Sequence, residues 1–316
     1  MDLDQRLAIS YYKPIAVINE PHHIYLVQHQ ETKKIAIKKV LDVYNLAVYA
    51  ELYRNPIAGT PRIINYYEEA GQLTVIEEYI SGTSLQDKIR HADISPNEML
   101  QYMLDLCAIL EQLHQHNPAI IHRDVKPSNV IITSYNRAVL LDFNAAKYHT
   151  AAKDSDTILL GTQGYAAPEQ YGFGQSSPQT DIYSIGILLK EMAEASHCQN
   201  PYIDAVTAKC TQMNPAERYQ SIGELRQVLL ANRGVFPYTH ADQAFTGDLS
   251  GSSSNRSNAQ TQNDPGTSAN HMQFAPPGFR SKTPWKMAVA LLTYIFLAWF
   301  CLSMKVNNTF GAALWV

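Results

Sequence analysis

The chain has 316 residues, 46% of them hydrophobic, and a formal net charge of −4. This is enough apolar material for a large domain of two lobes or layers with extra segments, and it excludes a wholly disordered chain. With 25 basic against 29 acidic residues there is no positive excess of the kind a nucleic-acid surface requires, so small molecules or proteins are the expected partners.

The start, "MDLDQRLAIS", has no apolar h-region, so no secretory signal is expected. The cysteines, Cys107, Cys198, Cys210 and Cys301, lie far apart without a C-x-x-C pair, which argues against a zinc or disulfide framework and for a reduced, cytoplasmic main body. "KKIAIKKV" alternates apolar and basic residues, and "LTVIEEYI" is a second β-rich run; both read as strands. Between them "VYNLAVYAELYRN" reads as an amphipathic stretch. "SPNEMLQYMLDLCAILEQLHQH" opens on a capping box, Ser95 to Glu98, and places Leu100, Met103, Leu104, Cys107, Leu110 and His114 on one helical face. "SIGELRQVLLANRG" repeats the device with Ser221, Glu224 and a stop at Gly234. A β-rich small lobe followed by a mainly helical large lobe is the implied α+β arrangement.

Beyond this body, residues 234–284 are rich in Ser, Asn, Gln and Gly, which cannot bury enough apolar surface to offset ordering entropy, and they read as a flexible linker. Residues 287–304, "MAVALLTYIFLAWFCLSM", carry no charge and are bracketed by Lys286 and Lys305, a run just long enough to span a bilayer as one helix. Arg280, Lys282 and Lys286 precede it and only Lys305 comes after it, so the large N-terminal part is expected in the cytoplasm, with 306–316 as a short external tail.

The chemistry is concentrated at "IIHRDVKPSNVII", where His122, Arg123, Asp124, Lys126 and Asn129 share one turn between apolar runs. "HRDVKPSN" resembles the catalytic loop of protein kinases, H-R-D-x-x-x-x-N. The surrounding order agrees with it: "IAIK" with Lys38, a helical Glu51, "LLDFN" where kinases carry D-F-G, "GTQGYAAPEQY" with its A-P-E at Ala167, Pro168 and Glu169, "TDIYSIGILLKEM" with Asp181, and "NPAERYQS" with Arg218. The resemblance covers about residues 10–233 and is nearest to bacterial Ser/Thr kinases with a C-terminal membrane anchor. It implies a bilobal kinase-like fold, with a small lobe at about 10–79 and a large lobe at about 83–233.

The resemblance further implies ATP and Mg²⁺, with Mn²⁺ as an alternative metal. Asp124 would orient the substrate hydroxyl, Lys126 would contact the transferred phosphate, and Asn129 and Asp142 would hold the metal. Lys38 would bind the ATP phosphates with Glu51 fixing it, and Glu78 and Ile80 would line the nucleotide site at the hinge. Lys126 and Thr162 accompany Ser/Thr specificity in the family. Arg123 would pair with a phosphate in the segment between Asp142 and Glu169, where Thr150, Ser155 and Thr157 are acceptors and Thr157 is the choice; self-association for autophosphorylation is implied in turn. Glu169, Asp181 and Arg218 would be structural.

Three departures matter. "VINEPHHIYLV" has no glycine where the family has its Gly-rich loop, so Pro21, His22 and His23 should loosen the cover over ATP unless the imidazoles bind phosphate. Asn144 replaces the glycine after Asp142 and Phe143, and asparagine tolerates left-handed geometry. Glu77 falls at an apolar position behind the adenine pocket, where a carboxylate needs a partner or a proton. Two other readings therefore stay open: a pseudokinase acting as a nucleotide-binding scaffold, and a small-molecule phosphotransferase, which would lack a "GTQGYAAPE" segment.

Overall fold

In the computed structural model, residues 3–149, 161–172 and 174–231 are described. The linker, the apolar run 287–304, the tail, and Thr150, Ser155 and Thr157 lie outside them. No helix among the described residues is long and apolar enough to cross a membrane.

The small lobe opens with α1 (Leu3–Ser10), followed by β1 (Tyr12–Asn19), β2 (Ile24–His29), β3 (Ile35–Leu41), α2 (Leu46–Arg54), β4 (Ile63–Glu69) and β5 (Gln72–Glu78). Its five strands form one antiparallel sheet in the order β1-β2-β3-β5-β4. Because side chains alternate across a strand, the sheet has two apolar faces. Val27, Ala36 and Ile76 pack with Ile9 of α1 on one, while Leu41, Leu73 and Val75 join the main core on the other. The fold therefore begins before residue 10: α1 contributes the buried Ile9 and a 3.0 Å ion pair from Arg6 to Glu69.

The large lobe comprises β6 (Gly82–Ser84), α3 (Leu85–Arg90), α4 (Pro96–His114), β7 (Ile120–Ile121), β8 (Val130–Thr133), β9 (Ala138–Leu140), β10 (Lys147–Tyr148), α5 (Pro178–Ala195), α6 (Pro201–Cys210) and α7 (Ile222–Ala231). α4 begins with the expected box, in which the Glu98 N–H reaches Ser95 Oγ and the Ser95 N–H reaches Glu98 Oε2. It buries far more than one stripe: Met99, Tyr102, Leu106, Ile109 and Leu113 are interior as well, so α4 is a central helix. The box at α7 is displaced by one residue, since Glu224 Oε2 accepts from the Gln220 N–H rather than from Ser221. At the α5–α6 crossing, a Cβ on Gly186 would stand 2.4 Å from Cys210 Cβ, so only glycine lets these helices approach this closely.

A buried ion pair with its surrounding hydrogen bonds holds the large lobe. Arg218, 1% exposed, pairs with both oxygens of Glu169 at 2.8 and 2.9 Å and also donates to Gln179 O and Gln212 O. Thr180 Oγ1 donates to the same carboxylate, so the pair is satisfied on several sides.

Candidate active site

The loop between β7 and β8 is held open by one carboxylate. Asp181, on α5 and fully buried, accepts from the His122 N–H at 2.9 Å and the Arg123 N–H at 2.8 Å, with His114 Nε2 at 2.8 Å. Burial works to raise its carboxyl, but the bonds from His114 and the loop amides outweigh burial and hold it below the ordinary carboxylate value. The backbone at Arg123 can thereby hold a left-handed φ of 70°, which turns Asp124 toward the cleft. His122 is kept neutral by its own burial, consistent with Nε2–H on Leu141 O at 3.1 Å and Nδ1 toward the Asp124 N–H. Its ring meets Phe143 edge-on.

Asp124 is the centre of a compact set. Thr162 Oγ1 donates to Oδ1 at 2.7 Å, Lys126 Nζ lies 2.8 Å from Oδ2, and Asn129 Nδ2 donates to Oδ2 at 3.0 Å. Lys126 also donates to Thr162 Oγ1 at 2.7 Å, closing a triangle. Burial pushes the Asp124 carboxyl up, yet the Lys126 and Thr162 hydrogen bonds bring it below its usual value, so it is an anionic acceptor at neutral pH. Asp124, Lys126, Asn129, Asp142 and Thr162 line one cleft of about 560 Å³, together with Pro21, His22 and His23 from the β1–β2 turn. The turn takes its left-handed residue at His23, φ 50°, in place of a glycine.

The left-handed φ after β9 falls on Asp142 itself, 67°, and Asn144 does not take it up. Asn144 instead accepts a 2.7 Å hydrogen bond from the buried Tyr49 hydroxyl on α2. Among the described residues the buried Asp142 Oδ1 has no hydrogen-bond donor, and Lys39 Nζ stands 3.7 Å from it. An unsatisfied carboxylate oxygen beside Asn129 suits a hard divalent cation completed by ligand oxygens. Among the described residues no cluster of three or more His, Cys, Asp or Glu could hold a metal by itself.

The lysine that approaches Asp142 is Lys39, not Lys38. In the β3–β5 register Lys38 pairs with Ile76 and shares the parity of Ala36, on the face that α1 covers. Lys39 shares the parity of Leu41, is 5% exposed, and lies 2.8 Å from Glu77 Oε1. Glu51 does not meet either lysine: it accepts from Asn55 Nδ2 at 2.8 Å and lies 3.6 Å from His116 Nδ1. Burial works to lower the Lys39 amine, and Glu77 and then Asp142 raise it above its ordinary value, so it remains an ammonium. Glu77 is pushed up by burial while Lys39 opposes the shift.

Glu78 is exposed, and its N–H ends β5 on Arg62 O at 2.9 Å; neither it nor Ile80 lines the cleft around Asp124. Arg123 is buried, with Nη1 at 3.5 Å from Ala145 O, and Gln170 Nε2 donates to its carbonyl at 2.8 Å, which ties the segment after Thr162 to the catalytic loop. The sequence reading missed Lys39, Tyr49 and Gln170. Lys39 had a signal in Leu41, two residues on, but Ala36 gave Lys38 an equally apolar face.

The chain matches the protein kinase domain family over residues 23–230. It is 29% identical over 257 residues to the serine/threonine-protein kinase PknB of Mycolicibacterium smegmatis, covering 70% of this chain and 40% of that protein. It is 28% identical over 214 residues to mitogen-activated protein kinase kinase 1 of Arabidopsis thaliana, covering 63% and 59%. A putative leucine-rich repeat receptor-like serine/threonine-protein kinase of the same plant is 38% identical over 136 residues, 41% of this chain and 16% of the other. In each case the chain spans less than two thirds of the relative's length. With the family matched over most of the chain, and with the Asp124 loop, Asp142 and the buried Glu169–Arg218 pair assembled in one body, the chain belongs to the protein kinase family.

Proposed function

We propose that the protein transfers the γ-phosphate of ATP to Ser or Thr hydroxyls of proteins, itself included, at a membrane. The observation that carries this reading is the triangle of Asp124, Lys126 and Thr162, with an anionic Asp124 lining the same cleft as Asn129 and Asp142. Asp124 orients the incoming hydroxyl and takes its proton as the oxygen bonds to phosphorus and the bond to the ADP oxygen breaks. Lys126 offers its ammonium to the transferred phosphoryl oxygens, and Lys39 holds the remaining phosphates. Asn129 and Asp142 would hold Mg²⁺, which when bound neutralises charge on the phosphates. Lys126 and Thr162 accompany Ser/Thr specificity in the family this chain resembles, and their direct contact here supports an aliphatic hydroxyl as acceptor.

The test is transfer of labelled phosphate from Mg–ATP by the full chain to itself and to a generic Ser/Thr protein, beside Asp124→Asn. The expected result is label on Ser or Thr in the wild type and a loss of about 10²–10⁴-fold in the variant. The β1–β2 turn favours a second reading, a nucleotide-binding scaffold, because His22, His23 and Pro21 stand where glycines would allow close backbone approach to phosphate. ATP binding without transfer would select it.

Membrane attachment rests on the uncharged run 287–304 and its flanking cations. Deleting 287–304 is expected to move the protein from the membrane pellet to the supernatant after carbonate washing; unchanged sedimentation would remove this part of the proposal.

A further inference from the structure

Two buried charges face each other inside the small-lobe sheet. The Lys39 and Glu77 side chains are 6% and 7% exposed and 2.8 Å apart. In the ladder Ile37 pairs with Glu77 and Lys39 with Val75, so Lys39 and Glu77 are diagonal neighbours on one face. The helix that would be expected to supply the counter-charge does not. Tyr49 is the α2 residue beside this pair: it is 1% exposed, its hydroxyl is fixed on Asn144, and its burial, then Asp142 and Glu77, push the phenol well above its ordinary value. At 3.6 residues per turn, Glu51 lies about 200° around α2 from Tyr49, which explains why it meets Asn55 and His116 instead.

We propose that Glu77 is the positioning residue for the nucleotide-binding lysine, Lys39, and that the lysine is therefore held by its own sheet and stays placed whatever the position of α2. The assignment rests on the reading of the chain as an ATP-using enzyme. Its physical basis is the tether: β3 and β5 are joined by a continuous ladder, so the two backbone positions that carry the ammonium and the carboxylate stay in register as long as the sheet is intact. A counter-charge carried on a helix can be withdrawn by moving that helix. One carried on the adjacent strand cannot.

The experiment uses the full chain with Glu77→Gln, Glu77→Asp and Glu51→Gln. It measures KM for ATP and kcat, ATP binding at equilibrium, and the pH dependence of Lys39 labelling by an amine-reactive reagent, read by mass spectrometry. Glu77→Gln is expected to raise KM for ATP by about 30-fold or more, the effect of removing one member of a buried charge pair. It should also move Lys39 labelling to lower pH, because the buried ammonium has lost a counter-charge. Glu77→Asp should recover part of both effects, and Glu51→Gln should stay within about twofold of wild type. The assignment is overturned if Glu51→Gln loses as much as Glu77→Gln, if Glu77→Gln keeps the wild-type KM and labelling profile, or if it binds ATP more tightly because the pair had been blocking the site. If the wild type transfers no phosphate, the kinase reading fails, while ATP binding and Lys39 labelling still decide the role of Glu77. Should the Glu77 variants lose their cooperative melt, equilibrium ATP binding by Glu51→Gln decides alone: affinity within about twofold of wild type supports the assignment, and a loss of about 30-fold or more overturns it.

Discussion

Thr162 has two partners, donating to Asp124 and accepting from Lys126, and the hydroxyl is what lets one side chain serve both. Thr162→Val keeps the shape and removes both bonds. Asp124 retains Lys126 and Asn129, so its charge stays compensated but its angle is less fixed. A fall in kcat of about tenfold with little change in KM for ATP is expected, from the loss of one or two charge-assisted hydrogen bonds. Steady-state kinetics check it, and an equal loss in KM would assign Thr162 to nucleotide binding. At this scale the sequence was most informative where identity and spacing alone determine position: Asp124, Lys126, Asn129, Asp142 and Thr162 do come together at one cleft. It was least informative at the adjacent Lys38 and Lys39, since a one-residue change of strand register exchanges the faces and both parities were apolar. Glu77 looked like an unexplained buried acid because its partner lay on another strand, and sequence does not display diagonal neighbours.

Among the elements, α2 is anchored less by its own helix propensity than by the turn that leads from it to β4. The Ala58 N–H and C=O both face Gln112 of α4, and Gly59 O accepts from the Leu140 N–H at 2.9 Å. Gly59 sits at φ 87°, and a Cβ there would stand 2.6 Å from Ile109 Cγ1. Gly59→Ala therefore combines a left-handed penalty with a clash against a central helix, and a stability loss of about 1–3 kcal/mol is expected. Urea melts of the two proteins measure it, and a change within about 0.5 kcal/mol would mean that Ile109 gives way. Helix boundaries were legible where a cap announced them, as at Ser95. α1 was not, because "LDQRLAIS" carries a weak apolar pattern and its burial depends on an outer sheet face that only the assembled strands create.

For the described body as a whole, resistance to acid depends on carboxylates held ionised inside it. Asp181 is the strongest case, being fully buried and carrying three hydrogen bonds that join α4, the catalytic loop and α5. Its folded value lies below the ordinary one, so its contribution is complete above the ordinary carboxylate value of about 4 and is lost as pH falls through the lower folded value. The expected outcome is that Asp181→Asn melts lower than wild type at pH 7 and that the gap narrows below about pH 4. A gap constant from about pH 7 to about pH 3 would show that the charge is not the source. The two-lobed arrangement itself could be read from the sequence because strand-period and helix-period segments come one after the other in separate blocks, whereas the closing contacts between them could not.

The Lys39–Glu77 pair also bears on what kinds of inhibitor this cleft will admit. An ATP-competitive compound that extends an aryl group past residue 77 would press an apolar surface against a desolvated ion pair and leave one or both charges without compensation. Such compounds should bind poorly, while an extension ending in a carboxamide can insert between the two charges, its oxygen accepting from Lys39 and its N–H donating to Glu77. Selectivity against kinases with an apolar residue at that position would then come from polarity at the back of the pocket, with steric size contributing little.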